Sequence, residues 1–274
     1  MVLFPKKPVR PSGAPRFPVV FVLGLAHCGS TMLGRMLGQH PRVLSVGELL
    51  RLGPALEQDF FCTCGQRMSQ CSFWTARVQE LERETGFDWR RFGVATFDRL
   101  AREAGREMAF DLSKTLVWRR TRWWLDRGEG YVFLVRDSRG VIASALRQDR
   151  DLERQLVKHV KWMERLTAYA RRRGERALTL HYEDLCREPE RELRRLCQFL
   201  GLEFTEGMLH PSRETVHLVH SSASGYLKNI DAIRLDERWR RDLDDGQRSR
   251  IEDAMEGLEV FRGRLERTTV AGKR

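Results

Sequence analysis

The chain has 274 residues, 41% of them hydrophobic, which is enough to bury a sizeable core. Its 49 Lys and Arg outnumber 38 Asp and Glu, and the formal charge of +11 points to an anionic partner. The absence of any run of about 18 apolar residues excludes a transmembrane segment, and Arg-rich stretches such as Arg171–Arg173 and Arg187–Arg195 are mixed with Glu and lack aromatic interleaving. They read as solvated helix faces, so no nucleic-acid partner is expected.

Residues 1–17, with Lys6, Lys7, Arg10, Arg16 and repeated prolines, read as a basic flexible tail. They lack the apolar core of roughly 7–15 residues that a signal peptide needs, so a cytoplasmic location is expected. Pro18–Leu23 is an apolar run ending at Gly24. A helical pattern follows from Ser30, with Met32, Leu33, Met36 and Leu37 on one face, until Pro41 stops it. Met108–Leu112, Tyr131–Val135 and Ala177–Tyr182 read as buried strands. Helical patterns at Leu116–Asp126, Gly140–Gln148 and Leu152–Arg172 separate them. This alternation predicts an α/β fold, a parallel sheet of four to five strands flanked by helices.

Roughly 65 residues separate Pro41 from the strand at Met108, more than one crossover needs. Residues 50–106 are therefore expected to hold a helical cap insertion that selects substrate. Pro189–Leu200 reads as an amphipathic helix ended by Gly201, His217–Lys228 as a loop, and Asp236–Leu265 as further helix. The chain divides into the tail 1–17, a single domain over 18–265 and a C-terminal tail 266–274.

Gly24-Leu25-Ala26-His27-Cys28-Gly29-Ser30-Thr31 has the glycine spacing of a phosphate loop between a strand and a helix. Glycines let backbone N–H groups close around an oxyanion, and the helix N-terminus adds partial positive charge. A kinase loop carries Lys where this chain has Ser30, so a P-loop kinase is the alternative, beside a non-catalytic anion binder and a glycine turn with no ligand.

The loop resembles that of sulfotransferases using 3'-phosphoadenosine 5'-phosphosulfate (PAPS), whose first strand is followed by a segment similar to Pro-Lys/Arg-Ser-Gly-Thr-Thr. The resemblance, closest to bacterial members, implies a P-loop-like fold, PAPS as donor with PAP as product, and cofactor contacts from His27, Cys28, Gly29, Ser30 and Thr31. His27 falls where many relatives have a catalytic Lys or Arg, although a histidine is only partly protonated near neutrality. Arg136, at the end of the Tyr131–Val135 strand, and Ser144, eight residues on, match the family's pair for the 3'-phosphate. A guanidinium offers a planar fork of donors to phosphate oxygens. His181-Tyr-Glu-Asp-Leu185, Pro189 and Phe199-Leu-Gly201 resemble family scaffold segments, with Leu196, Phe199 and Leu200 in the core. Lys228 is a weaker phosphate candidate.

Transfer to a hydroxyl or amine needs a base and a positive charge near the departing oxygen. Glu48 is similar in placement to the catalytic Glu of tyrosylprotein sulfotransferases, and Lys114 to a lysine that such relatives place near the phosphosulfate. The resemblance makes them general base and charge stabiliser. His159 and His181 read as structural. The acceptor, a small molecule, a glycan or a peptide, has no signature in the sequence.

Six cysteines are too few for a disulfide scaffold. Cys62, Cys64 and Cys71 cluster in a C-x-C-x6-C pattern that offers three zinc ligands and leaves a fourth to be found. A reduced structural cluster is the preferred reading, and no metal is assigned.

Overall fold

Alternate residues of β1 (Val19–Gly24) are buried on opposite faces: Val19, Phe21 and Leu23 enter one apolar cluster, Val20 and Val22 the other. This is the pattern of a strand covered on both sides. The computed structural model describes residues 13–88, 93–114, 130–148, 150–213, 215–219, 232–256 and 258.

From β1 the chain passes through α1 (Ser30–Gly38) into β2 (Val43–Gly47), a 3-10 turn at Leu49–Arg51, then α2 (Leu52–Glu57), α3 (Ser72–Thr85) and α4 (Val94–Glu103). β3 (Met108–Lys114) and β4 (Gly130–Val135) follow. Next come α5 (Ser138–Leu146), α6 (Leu152–Arg173), β5 (Ala177–His181), α7 (Tyr182–Arg187) and α8 (Pro189–Leu200). Near the end lie α9 (Trp239–Asp242) and α10 (Asp245–Met255). The strands form one five-stranded parallel sheet in the order β2-β3-β1-β4-β5. Parallel pairing with helical crossovers is the architecture that the alternating pattern predicts.

Strand β2 is absent from the sequence expectation, which ran from α1 into the cap. Its sequence, VLSVG, is five residues with a central serine, too short to stand out as an apolar run. It places Glu48 directly beyond a strand end. The helix at Leu116–Asp126 and Lys228 lie outside the described residues, as does most of the expected helix beyond Glu256.

Helices α1 and α8 cover one face of the sheet and α4, α5 and α6 the other. Leu196 and Leu200 are fully buried, with Phe199 packed beside them, as expected of a scaffold helix. Pro189 opens α8, and Gly201 closes it at φ 69°. His159 is also structural: it is buried at 2.9 Å from Ser138 Oγ, and burial holds its imidazole down at about 4. No described helix is long and apolar enough to cross a membrane.

Candidate active site

Four neighbouring strands end on the same side of a parallel sheet, and each delivers one part of the site. In spatial order they are Glu48 after β2, Lys114 at the end of β3, the Gly24–Thr31 loop after β1, and Arg136 after β4. The chain leaves β1 towards β2 and later crosses back to β4, so the loop sits where the connections diverge. Parallel sheets bind ligands in that crevice.

The loop is shaped by left-handed backbone. His27 has φ 67° and Gly29 φ 93°. A Cβ on Gly29 would lie 2.4 Å from Tyr182 Cδ2, so only glycine fits. Cys28 turns its side chain into the core and donates its N–H to Leu25 O at 3.3 Å, so it shapes the loop. α1 then starts with no side-chain cap and no acidic residue in its first turn, which leaves its N-terminus to an anion. Ser30 is buried there and Thr31 half-buried.

His27 Nε2 is buried without a hydrogen-bond partner. Burial first, and then the charges of Arg150, Lys114, Arg136 and Arg147, together pull its pKa down to about 4. His27 is therefore neutral at pH 7 in this environment and offers an imidazole nitrogen rather than a charge. All four cations act on this one imidazole, and three of them are also ion-paired, Lys114 to Glu48, Arg136 to Asp236 and Arg147 to Asp242; the net field at His27 is positive, which favours an anion. Arg147 and Arg150 carry no motif and were missed in the sequence.

Arg136 is 8% exposed and donates to His27 O at 2.9 Å, binding the β4 end to the phosphate loop. Its other nitrogen donates to Asp236 O at 3.0 Å and Oδ2 at 3.1 Å, and its guanidinium lies 4.4 Å from the Tyr182 ring centroid. Hydrogen bonds from Arg238 and then Arg136 hold the Asp236 carboxyl far below the usual carboxylate range. Asp236, a residue the sequence did not single out, is thus an internal anion on the guanidinium expected to take a phosphate. Ser144 lies half-buried near the C-terminal end of α5.

On the far side of the loop, Glu48 is 7% exposed. Its Oε1 lies 2.8 Å from Lys114 Nζ and its Oε2 3.1 Å from Arg51 Nε. The β3 register slips by one residue against β1 near its end, and Lys114 itself takes φ 47°, which re-aims the last side chain of the strand. Behind the pair lies Asp111, 1% exposed. Asp111 accepts from Ser113 N at 2.8 Å, from Ser113 Oγ at 3.0 Å and from Leu49 N at 3.3 Å, and Ser113 Oγ accepts from Leu50 N at 3.3 Å. These bonds hold the turn that carries Glu48. Burial, with the nearby Glu48 charge, raises the Asp111 carboxyl to about 7. An acid inside an otherwise apolar strand was the signal that could have revealed it.

Gly47 fixes the other side of that turn. Its φ is 74°, and a Cβ there would lie 2.3 Å from Val219 O. Val219 N donates to Val46 O at 3.0 Å and Val219 O accepts from Glu48 N at 2.8 Å. The chain after His217 thus pairs with the last residues of β2.

Comparison with known proteins agrees with the geometry. Residues 18–125 and 130–206 match the model of the Sulfotransferase family. A Caenorhabditis briggsae protein named for protein-tyrosine sulfotransfer is 23% identical over 200 residues, covering 70% of this chain and 68% of the relative. Among solved structures, the sulfotransferase domain from the curacin biosynthetic pathway superposes with a TM-score of 0.62 at 19% identity, over 88% of this chain and 98% of that one. Mouse sulfotransferase SULT7A1 complexed with PAP gives 0.56 at 11% identity, over 92% and 88% of the two chains. At these identities the structural likeness shows the fold.

Proposed function

The chain belongs to the sulfotransferase family, and on that premise we propose that it transfers a sulfuryl group from PAPS to a hydroxyl or amine acceptor, with Glu48 as general base. The observation that carries the reading is the phosphate loop itself. Its helix N-terminus has no side-chain cap, and beside it a buried, unpartnered His27 Nε2 lies among Lys114, Arg136, Arg147 and Arg150. A polyanionic nucleotide answers both features at once.

PAPS, when bound, supplies an activated sulfuryl group joined to a phosphate leaving group. The loop N–H groups, with Ser30 and Thr31, hold the 5'-phosphosulfate end, and His27 donates from Nε2 to one of its oxygens. Arg136 and Ser144 take the 3'-phosphate, for which Arg136 exchanges its bond to Asp236; a charge-assisted fork to phosphate is the stronger pairing. Lys228 remains a proposed further contact. Glu48 accepts the acceptor proton on a carboxylate oxygen. Lys114, which pairs with Glu48 at 2.8 Å, faces the negative charge that develops on the leaving oxygen. Asp111 and Ser113 act through the Leu49–Leu50 backbone and are positioning residues.

The kinase alternative is not favoured: Ser30 stands where a kinase loop has its lysine, and the family match points elsewhere. The acceptor is a small molecule, a glycan or a peptide, selected by the helical region before β3. The free thiols fit a reducing, cytoplasmic location. The test is transfer of labelled sulfate from PAPS to a panel of phenols, sugars, lipids and tyrosine peptides. Transfer to any of them that disappears in Glu48→Gln supports the reading. No transfer to any class, together with equal thermal shifts from PAP and AMP, overturns it.

A further inference from the structure

Before α3, the chain makes a tight turn through Cys62-Thr63-Cys64-Gly65, with Gly65 at φ 88°, Gly65 N donating to Cys62 O at 3.0 Å and Cys62 N to Gln66 O at 2.8 Å. Phe61 and Arg67 bridge across its base. The turn places two cysteines on one lip, and Cys71, the residue that opens α3, stands beside them. From the sequence, these three thiols lack a fourth ligand. The structure supplies it from 146 residues further on: His217 Nδ1 lies 3.3 Å from Cys71 Sγ and 3.8 Å from Cys62 Sγ.

The geometry points to a structural zinc site formed by Cys62, Cys64, Cys71 and His217. The four candidate ligand atoms all lie within 4.8 Å of one another. Tetrahedral zinc, with Zn–S of about 2.3 Å and Zn–N of about 2.0–2.1 Å, separates its ligand atoms by roughly 3.5–3.8 Å. The Cys64 and Cys71 sulfurs are 3.8 Å apart, matching that spacing and far beyond a disulfide bond. Three thiolates and one imidazole make a soft, closed donor set of the kind zinc takes in structural sites, with no position left for water.

Burial pushes the Cys62 and Cys71 thiols up, so a bound cation is what would hold them as thiolates; the backbone N–H groups of Cys64 and Trp74 face their sulfurs, and Cys71 sits at the N-terminus of a 14-residue helix. Phe73 stacks on the His217 ring at 5.0 Å and 7°, fixing its plane. Between two of the ligands, Thr63 Oγ1 accepts from Leu218 N at 2.8 Å and donates to Val216 O. Arg35 of α1 donates to Thr63 O at 3.1 Å.

The site would therefore clamp together the cysteine turn, the phosphate helix and the 216–219 segment. That segment pairs with β2 through Val219, two residues beyond the ligand His217. The metal would act at a distance from chemistry, keeping the Gly47–Glu48 turn in place.

The test is metal analysis of the full chain, purified without an affinity tag and dialysed against EDTA. The expected result is one zinc ion per chain. A cobalt-substituted sample should show the ligand-field bands of a tetrahedral thiolate centre. Cys64→Ser should lose most of the zinc, whereas His217→Cys, which keeps four ligands, should retain it. Strong chelation should lower the melting temperature of the wild type, with zinc restoring it. A dialysed chain with no zinc and no such cobalt spectrum overturns the assignment, as does undiminished zinc in Cys64→Ser. If the serine variant does not fold, the wild-type cobalt spectrum still decides. None of these measurements uses PAPS or an acceptor, so they stand or fall apart from the sulfotransferase reading.

Discussion

Glu48 follows the last residue of β2 and Lys114 ends the neighbouring parallel strand β3, and their side chains meet at 2.8 Å. The pair joins the proposed base to the proposed charge stabiliser. Glu48→Gln keeps the shape and cannot accept a proton. Turnover should fall by about 10²-fold or more while PAP affinity stays near wild type, read by steady-state kinetics and calorimetry. Near wild-type turnover would remove Glu48 from the role of base.

Asp111→Asn should lower turnover without weakening PAP, because Asp111 touches the Leu49 backbone rather than the ligand site. The variant presents an amide donor to groups that are themselves donors, which costs about 1–3 kcal/mol of stability. The pH dependence separates this from a generic packing loss. The folded-state pKa is raised to about 7 from an ordinary 3.8, so the contribution of Asp111 is fully present below about 4 and is lost as pH rises through 7. The stability gap between wild type and variant, measured by denaturant unfolding, should narrow across that window. A gap independent of pH rules out the buried, raised carboxyl.

Arg136→Ala should remove the preference for PAP over AMP in thermal-shift assays. Of the two nucleotides only PAP carries the 3'-phosphate proposed to take this fork of donors. Asp236→Asn should act in the opposite direction and tighten PAP, since it removes the carboxylate that now occupies the guanidinium at 3.1 Å. An unchanged PAP-to-AMP ratio in Arg136→Ala would clear that residue of 3'-phosphate recognition.

If His27 contacts the nucleotide as proposed, binding is linked to protons. Its folded-state pKa is depressed from 6.5 to about 4, chiefly by burial, so the unfolded chain binds more protons between those values and stability falls as pH drops through them. His159, also near 4, adds to the same slope. An anion at the loop opposes Arg150, Lys114, Arg136 and Arg147 and raises the His27 pKa. PAP should therefore bind with proton uptake at about pH 5.5 and bind more tightly as pH falls. Calorimetry in buffers of different ionisation enthalpy reads the uptake directly. His27→Asn should abolish it, and wild-type binding without proton uptake would exclude His27 from the anion site.

The parts of the site that could be read in the sequence were those with local signatures. A strand-glycine-helix pattern marked the loop, a strand end with the family resemblance singled out Arg136, and the resemblance singled out Glu48 and Lys114, all of which lie at neighbouring strand ends. What remained hidden is made by pairing across long separations. Asp236 reaches Arg136 from 100 residues away, and His217 reaches Cys71 from 146. Neither distance leaves a periodic trace. β2 escaped for a different reason, being short and interrupted by Ser45, while the field that Arg147 and Arg150 exert at His27 has no local signature.

Gly47 and Val219 also set an order of events during synthesis. The peptide bond that supports Glu48 comes from chain made 171 residues later, which at about 5–20 residues per second means a delay on the order of ten to thirty seconds. A nascent chain can form β1, α1 and the phosphate loop long before the turn that carries Glu48 acquires its backing. The backing of the Glu48 turn is thus a long-range contact that the segment holding the loop cannot make by itself.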